Sequence, residues 1–109
     1  MDPTFETRIE GTWTVVDVRG ELDLSTSEAL RSALEGSFEH GPRIAVDLSG
    51  VSFMDSTSLG LLVAYLKRAR ERDGDLMLVG VQGSPAKVIA LTGLDGVFGI
   101  ESSVADLPA

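Results

Sequence analysis

Two strand-like runs with a helix-spaced apolar pattern between them constrain the fold of this chain most. Apolar residues alternate along positions 44–48, and positions 76–79 form a continuous apolar run. Between these runs, apolar side chains recur with the i, i+3, i+4, i+7 spacing of a helix, at Leu59, Leu62, Val63 and Leu66. A continuous apolar strand is typical of a sheet covered on both faces. The pattern therefore predicts strands connected by a helix that packs against their sheet.

The rest of the chain extends this alternation of strands and helices. Apolar or hydroxyl residues alternate with charged ones over positions 5–10, and β-branched residues fill positions 13–18, which predicts a hairpin. Helix-spaced apolar residues follow over positions 30–38. A third helix is expected over 84–93 and a last short strand over 97–100. The predicted order is β-β-α-β-α-β-α-β with a short terminal helical turn, which implies an α/β fold with a mixed sheet and its helices packed against it.

Local signals mark the helix starts and the loops before them. Ser25, with Glu28 three residues later, has the pattern of a capping box for the first helix. Ser84, followed by proline, marks the start of the third helix. Residues 20–24 and 49–55 are expected to be loops at strand ends, where binding sites are commonly found.

Composition limits the classes of function. A chain of 109 residues and 11.5 kDa fits one domain, residues 1–109. It has no cysteine, which excludes disulfides and thiolate metal sites, and we expect neither a metal nor a cofactor. A net charge of −8 makes nucleic acid and anionic membranes unsuitable partners. No apolar run is long enough to span a bilayer, so we expect a soluble cytoplasmic domain.

The most informative segment lies between the third strand and the second helix. An apolar pair, Phe53 and Met54, is expected to hold this segment in place, and the acidic and hydroxyl residues 55–58 follow at the helix start. Helix N-termini have unpaired N–H groups and partial positive charge, so they favour a phosphate or another anion. A serine in this turn is suited to carry a covalent phosphate. The plainer interpretation is that Asp55 or Ser56 caps the helix.

Several motifs in this chain resemble those of the STAS domain, a family named for sulfate transporters and anti-sigma factor antagonists. Residues 20–23 (Gly-Glu-Leu-Asp) are similar to the first family motif. Residues 47–49 (Asp-Leu-Ser) and 53–56 (Phe-Met-Asp-Ser) are similar to the second, and residues 91–94 with Phe98 resemble the C-terminal pattern. The resemblance covers essentially the whole chain and implies a STAS-like mixed sheet.

The resemblance also implies the residues of a site. In the family pattern a phosphorylatable serine directly follows the aspartate, which is Ser56 here. Ser58 stands where family members commonly have glycine, so Thr57 and Ser58 are alternative acceptors. Asp23 and Asp55 join these three residues in the expected partner-binding surface. From the residues alone, the plainer interpretation of Asp23 is a turn residue bonded to its own backbone, and its docking role rests on the resemblance.

The implied function is that of an anti-sigma factor antagonist and not of an enzyme. Such a protein binds an anti-sigma factor of the serine kinase type and frees the sigma factor held there. Phosphorylation of the serine ends the binding, and a serine phosphatase restores it. The alternative within the family is a ligand- or nucleotide-sensing or scaffold module of a stress-signalling complex. A hydrolase that uses Ser56 is disfavoured because the chain has a single histidine, His40, as a conventional general base.

Overall fold

The computed structural model describes residues 2–109, and it has the element order that the sequence predicts. The strands are β1 (Thr4–Glu10), β2 (Trp13–Leu22), β3 (Arg43–Met54), β4 (Asp75–Val79) and β5 (Gly99–Glu101). The helices are α1 (Ser27–Phe38), α2 (Ser56–Glu71) and α3 (Gly83–Leu91). Short 3₁₀ turns occupy Leu24–Thr26, Leu94–Gly96 and Val104–Asp106, the last of which is the predicted terminal turn.

The five strands form one mixed sheet in the order β1-β2-β3-β4-β5. The hairpin strands β1 and β2 are antiparallel, and every other neighbouring pair is parallel. Each parallel pair is joined by a crossover through a helix, as parallel pairing requires. The predicted α/β architecture with a leading hairpin is confirmed.

The two faces of the sheet are covered in different ways. One face packs against all three helices, and its fully buried side chains include Leu30 of α1, Leu62 of α2 and Ile89 of α3. The opposite face carries a smaller cluster around Trp13, which the C-terminal segment covers. The Trp13 indole N–H donates to the Pro108 carbonyl oxygen at 2.6 Å and fastens that segment to the sheet.

Both segments expected to be loops at strand ends are largely strand. β2 continues to Leu22 and β3 to Met54, because side chains in these stretches are buried and the two backbones pair. The glycines and serines that suggested loops belong to a bulged pair whose register shifts twice. At Gly50 a Cβ would lie 2.8 Å from Arg19 Cγ and 3.2 Å from the Val18 carbonyl oxygen, so a larger residue would have to displace the Arg19 side chain and β2.

The helix starts also differ from the sequence predictions. Ser25 does not cap α1, and the capping box belongs to the preceding 3₁₀ turn, where Asp23 is the cap and Thr26 its reciprocal partner. α3 begins at Gly83, and no side chain caps it. The Ser84 hydroxyl instead accepts a hydrogen bond from the Met54 N–H at 3.0 Å. Ser84 therefore ties α3 to the end of β3.

Candidate docking site

The end of β2 and the end of β3 lie side by side at one edge of the sheet. Leu22 and Met54 are register partners in the parallel pair, and the Asp55 N–H donates to the Leu22 carbonyl oxygen at 3.1 Å. Asp23 and Asp55 each follow one of these paired residues. Two segments far apart in sequence are thus brought together in what we call the rim, residues 21–24 and 53–57.

Asp23 is held in a defined orientation by its own turn. Its Oδ1 accepts from the Ser25 hydroxyl at 2.6 Å and from the Thr26 N–H at 3.2 Å. The hydrogen bond from Ser25, together with those from the Thr26 and Ser25 backbone, lowers the pKa of the Asp23 carboxyl below its ordinary value. The interpretation of Asp23 as a turn residue bonded to its own backbone is confirmed for its local role. Its carboxylate stays ionised at the rim.

Asp55 caps the second helix. Its Oδ1 accepts from the Ser58 N–H at 2.9 Å, and the Leu59 N–H donates to its carbonyl oxygen at 3.2 Å. An aspartate N-cap satisfies a free N–H group and places a negative charge where the helix dipole is positive. Of the two caps that the sequence allowed, the structure has Asp55, and Ser56 is left as the first residue of α2.

The three hydroxyl residues that begin α2 do not share one environment. Ser56 and Thr57 are exposed, whereas Ser58 is 0% exposed and its hydroxyl has no hydrogen-bond partner within residues 2–109. The expectation that Ser58 is an alternative acceptor and a docking residue is therefore corrected, because no partner can reach its hydroxyl in the folded domain. Its spacing from Leu62, which is buried four residues later, is the sequence signal that places Ser58 on the buried stripe.

Comparison with known proteins identifies the family of this fold. A family model described as the STAS domain matches residues 4–107. The chain belongs to the STAS domain family.

Several proteins similar to this STAS domain are named anti-sigma factor antagonists. The domain is 38% identical over 95 residues to the anti-sigma-B factor antagonist of Staphylococcus aureus, with 86% of this chain and 88% of that protein covered. The structure of an anti-sigma factor antagonist from Mycobacterium paratuberculosis superposes with a TM-score of 0.86 at 29% identity, covering 96% of this chain and 90% of that one. The fold is also that of the Bacillus cell fate determinant SpoIIAA in its phosphorylated form (TM-score 0.71, 23% identity, coverage 94% and 95%).

Two large apolar side chains of the STAS domain flank its acidic rim. Leu24, directly after Asp23, is 70% exposed, and Phe53, two residues before Asp55, is 43% exposed. The expectation that Phe53 and Met54 together hold the segment in place is half right, since Met54 is buried at 2% and Phe53 faces outward. Sequence reasoning missed Leu24 and Phe53 as surface residues because apolar side chains near a strand end are expected in the core.

Other groups that could carry chemistry lie away from the rim. His40 follows α1 and precedes β3, so the length of β3 separates it from Ser56. A groove of about 550 Å³ lies at the hairpin end of the sheet and is lined by residues that include Thr12, Trp13 and Leu107. Within residues 2–109, no cluster of three or more His, Cys, Asp or Glu side chains is arranged to hold a metal ion. Over the same residues, no helix is long and apolar enough to cross a membrane.

Proposed function

We propose that this STAS domain is an anti-sigma factor antagonist of the cytoplasm whose binding is switched by phosphorylation of Ser56. In the unphosphorylated state it binds an anti-sigma factor of the serine kinase type, which releases the sigma factor held there. Phosphate on Ser56 ends the complex, and a serine phosphatase removes that phosphate. The similarity to the antagonists of Staphylococcus aureus and Mycobacterium paratuberculosis supports the class of partner.

The observation that carries the proposal is the position of Ser56 on the rim. Its side chain is exposed at the first position of α2, directly after the Asp55 cap, and the neighbouring strand end brings Asp23 to the same edge. The hydroxyl therefore lies at the surface, where another protein can cover it. Leu24 and Phe53 supply exposed apolar area beside it, and interfaces commonly use such side chains as anchors within a polar surround.

Ser56 acts in this proposal as a substrate hydroxyl. Its Oγ attacks the γ-phosphorus of ATP bound to the kinase, the hydroxyl proton passes to a base of the kinase, and ADP leaves. The kinase supplies the nucleotide, the Mg²⁺ and the base, as kinases do in phosphoryl transfer. This domain contributes an exposed acceptor at a capped helix start, and its sole histidine precedes β3 and is separated from Ser56 by the length of that strand. The domain is a binding regulator and not an enzyme.

The charge of the rim explains why phosphorylation would end binding. A phosphoserine adds roughly −1.5 to −2 charges at neutral pH. Asp55 and Asp23 already place two carboxylates at this edge, and the chain as a whole carries −8. Docking would have to desolvate all of these charges together, which is unfavourable unless the partner offers matching cations. A partner surface that fits the unmodified rim therefore fits the phosphorylated rim poorly.

The proposal is tested by incubating the domain with a cognate anti-sigma factor kinase and ATP and measuring intact mass. We expect one added phosphate on the wild type and none on Ser56→Ala. Thr57→Ala is the matched control, since it removes the neighbouring exposed hydroxyl, and it should still gain one phosphate. Phosphate found on Thr57 of the Ser56→Ala variant would contradict the site assignment. Absence of any complex between the unmodified domain and the kinase would contradict the function.

A further inference from the structure

Within residues 2–109, the outer edge of β1 is long, regular and not covered by another element. β1 has seven residues, all exposed except the half-buried Phe5, and it pairs with β2 over its full length without a register shift. The opposite edge of the sheet, β5, has only three residues. A long regular edge presents a row of free N–H and C=O groups that can pair with another strand, and proteins commonly shorten, bulge or cover such an edge. β1 is neither short nor bulged, and no element within residues 2–109 covers it. Its protection is the charge of Glu6, Arg8 and Glu10, which still allows pairing with a strand of complementary charge.

The side chains of β1 are complementary to a second copy of the same strand. In an antiparallel pair centred on Thr7, Phe5 lies opposite Ile9 of the second copy, and Glu6 lies opposite its Arg8. The symmetry of the pair repeats both contacts. An aromatic residue opposite a β-branched one, and opposite charges facing each other, are the cross-strand pairs that stabilise sheets. We propose that this domain forms a homodimer in which two β1 strands pair about a twofold axis at Thr7.

The register of this pairing is fixed by charge and by the faces of the sheet. The twofold axis of an antiparallel pair is perpendicular to the sheet, so each face of one copy continues into the same face of the other. Residues that pair must then lie on the same face of β1, which excludes shifts that would pair Glu6 with Thr7. A pair centred on Glu6 or on Arg8 would place like charges directly opposite each other, which is unfavourable. The pairing centred on Thr7 uses the whole strand and avoids both conflicts.

The dimer would also relieve features that are unfavourable in the single chain. Glu6 is the register partner of Asp17 on β2, so two carboxylates face each other within one chain. Arg8 lies 3.9 Å from Asp17 and 3.1 Å from Glu10, and its side chain is still 43% exposed. Arg8 of the second copy would bring a cation to the other side of Glu6. Ile9, which is 57% exposed, would be covered by Phe5 of the second copy.

The proposed interface is separate from the rim. It uses the outer edge of β1, whereas Asp23 and Asp55 follow the ends of β2 and β3. Dimer formation and binding of an anti-sigma factor can therefore be measured separately. Either of the two proposals can be wrong while the other is right. The interface is isologous, with the same patch used by both copies, so it closes at two subunits.

Charge reversal tests the pairing by sedimentation velocity over a protein concentration series that reaches millimolar. We expect a wild-type dimer. Glu6→Arg alone or Arg8→Glu alone should raise the dissociation constant by about tenfold or more, because two attractive pairs become repulsive. The double variant E6R/R8E should restore the dimer. An equimolar mixture of the two single variants should form a heterodimer, because each then supplies the charges that the other lacks. Arg31→Glu on α1 is the matched control and should dimerise like the wild type.

A cysteine on the proposed axis gives a second readout that does not depend on charge. Opposed residues in an antiparallel pair have Cα atoms about 4.5–5.5 Å apart, which suits a disulfide. The chain has no cysteine of its own, so Thr7→Cys should form one covalent dimer under mild oxidation, and Thr4→Cys should not. A wild type that stays monomeric at millimolar concentration would overturn the proposal. Equal cross-linking of the two cysteine variants, or dimerisation of both charge variants like the wild type, would overturn the register.

Discussion

Ser58 tests whether an unpaired hydroxyl in the core lowers the free energy of unfolding of this fold. The side chain is 0% exposed, and its hydroxyl has no partner within residues 2–109. Leaving a buried hydroxyl unsatisfied costs about 1–3 kcal/mol. Ser58→Ala removes that hydroxyl and keeps the backbone N–H that donates to Asp55 at 2.9 Å. Alanine is also the better helix former by about 0.5 kcal/mol.

We therefore expect Ser58→Ala to increase the free energy of unfolding by about 1–2 kcal/mol. For a domain of this size, that corresponds to a rise in Tm of roughly 5–10 °C. Urea unfolding followed by circular dichroism measures the first quantity, and calorimetry measures the second. Thr57→Ala is the matched control, because it brings a similar gain in helix propensity at an exposed position of the same turn. The difference between the two variants isolates the buried hydroxyl.

A Ser58→Ala variant less stable than the wild type would refute the reasoning, because it would show that the hydroxyl has an acceptor in solution. Equal stabilisation by Ser58→Ala and Thr57→Ala would show that propensity, and not burial, produces the effect. Neither substitution should abolish phosphorylation, since both leave Ser56 and the Asp55 cap in place.

Four further outcomes are expected from the rim. Ser56→Asp should weaken binding to the anti-sigma factor at least about tenfold by calorimetry, a loss of about 1.4 kcal/mol, whereas Ser56→Ala should bind nearly as tightly as the wild type. Asp55→Ala should lower the free energy of unfolding by about 1 kcal/mol in urea, and Asp55→Asn, which keeps a capping oxygen, should lose much less. Hydrogen bonds from the Ser25 hydroxyl and the Thr26 backbone depress the pKa of Asp23, so its NMR titration midpoint should lie below 3.8. The stability that Asp23 contributes should be present above that pH and lost as the pH falls through the lowered pKa, a loss that Asp23→Asn should not show. Phe53→Ser should weaken partner binding, and it should lower Tm less than truncation of Phe98 would, because the Phe53 ring is 43% exposed and that of Phe98 only 5%.

Much of the fold could be predicted because its signals are local. The spacing of Leu59, Leu62 and Leu66 and the continuous apolar run before Gly80 report periodicities that belong to single elements. The order of those elements leaves few topologies, and the observed sheet is the simplest of them. The errors in the strand bounds fell where pairing overrides local preference. Residues 20–22 and 49–54 have the composition of loops, and they are strands because each backbone pairs with the other.

The residues of the candidate site also fall into two groups, those that the sequence predicts and those that depend on strand pairing. The position of Ser56 after Asp55 at a helix start can be read from the sequence, which also narrows the N-cap to these two residues, because capping depends on residues within one turn. The proximity of Asp23 to Asp55 depends on the register of β2 against β3. The outward direction of Phe53 depends on the same pairing. Nothing near either residue in sequence encodes that register.

The sequence by itself determined the element order, the family motifs and the serine at the helix start, because periodicity, capping and motif spacing are properties of neighbouring residues. Only the tertiary structure decided which strands extend into bulged pairs, which large apolar side chains stay at the surface and which edge of the sheet stays open. These features depend on burial and backbone pairing between segments far apart in the chain. β1 shows the difference most clearly. Its alternating side chains are visible in the sequence, but its free edge exists only because no other element of the described chain covers it.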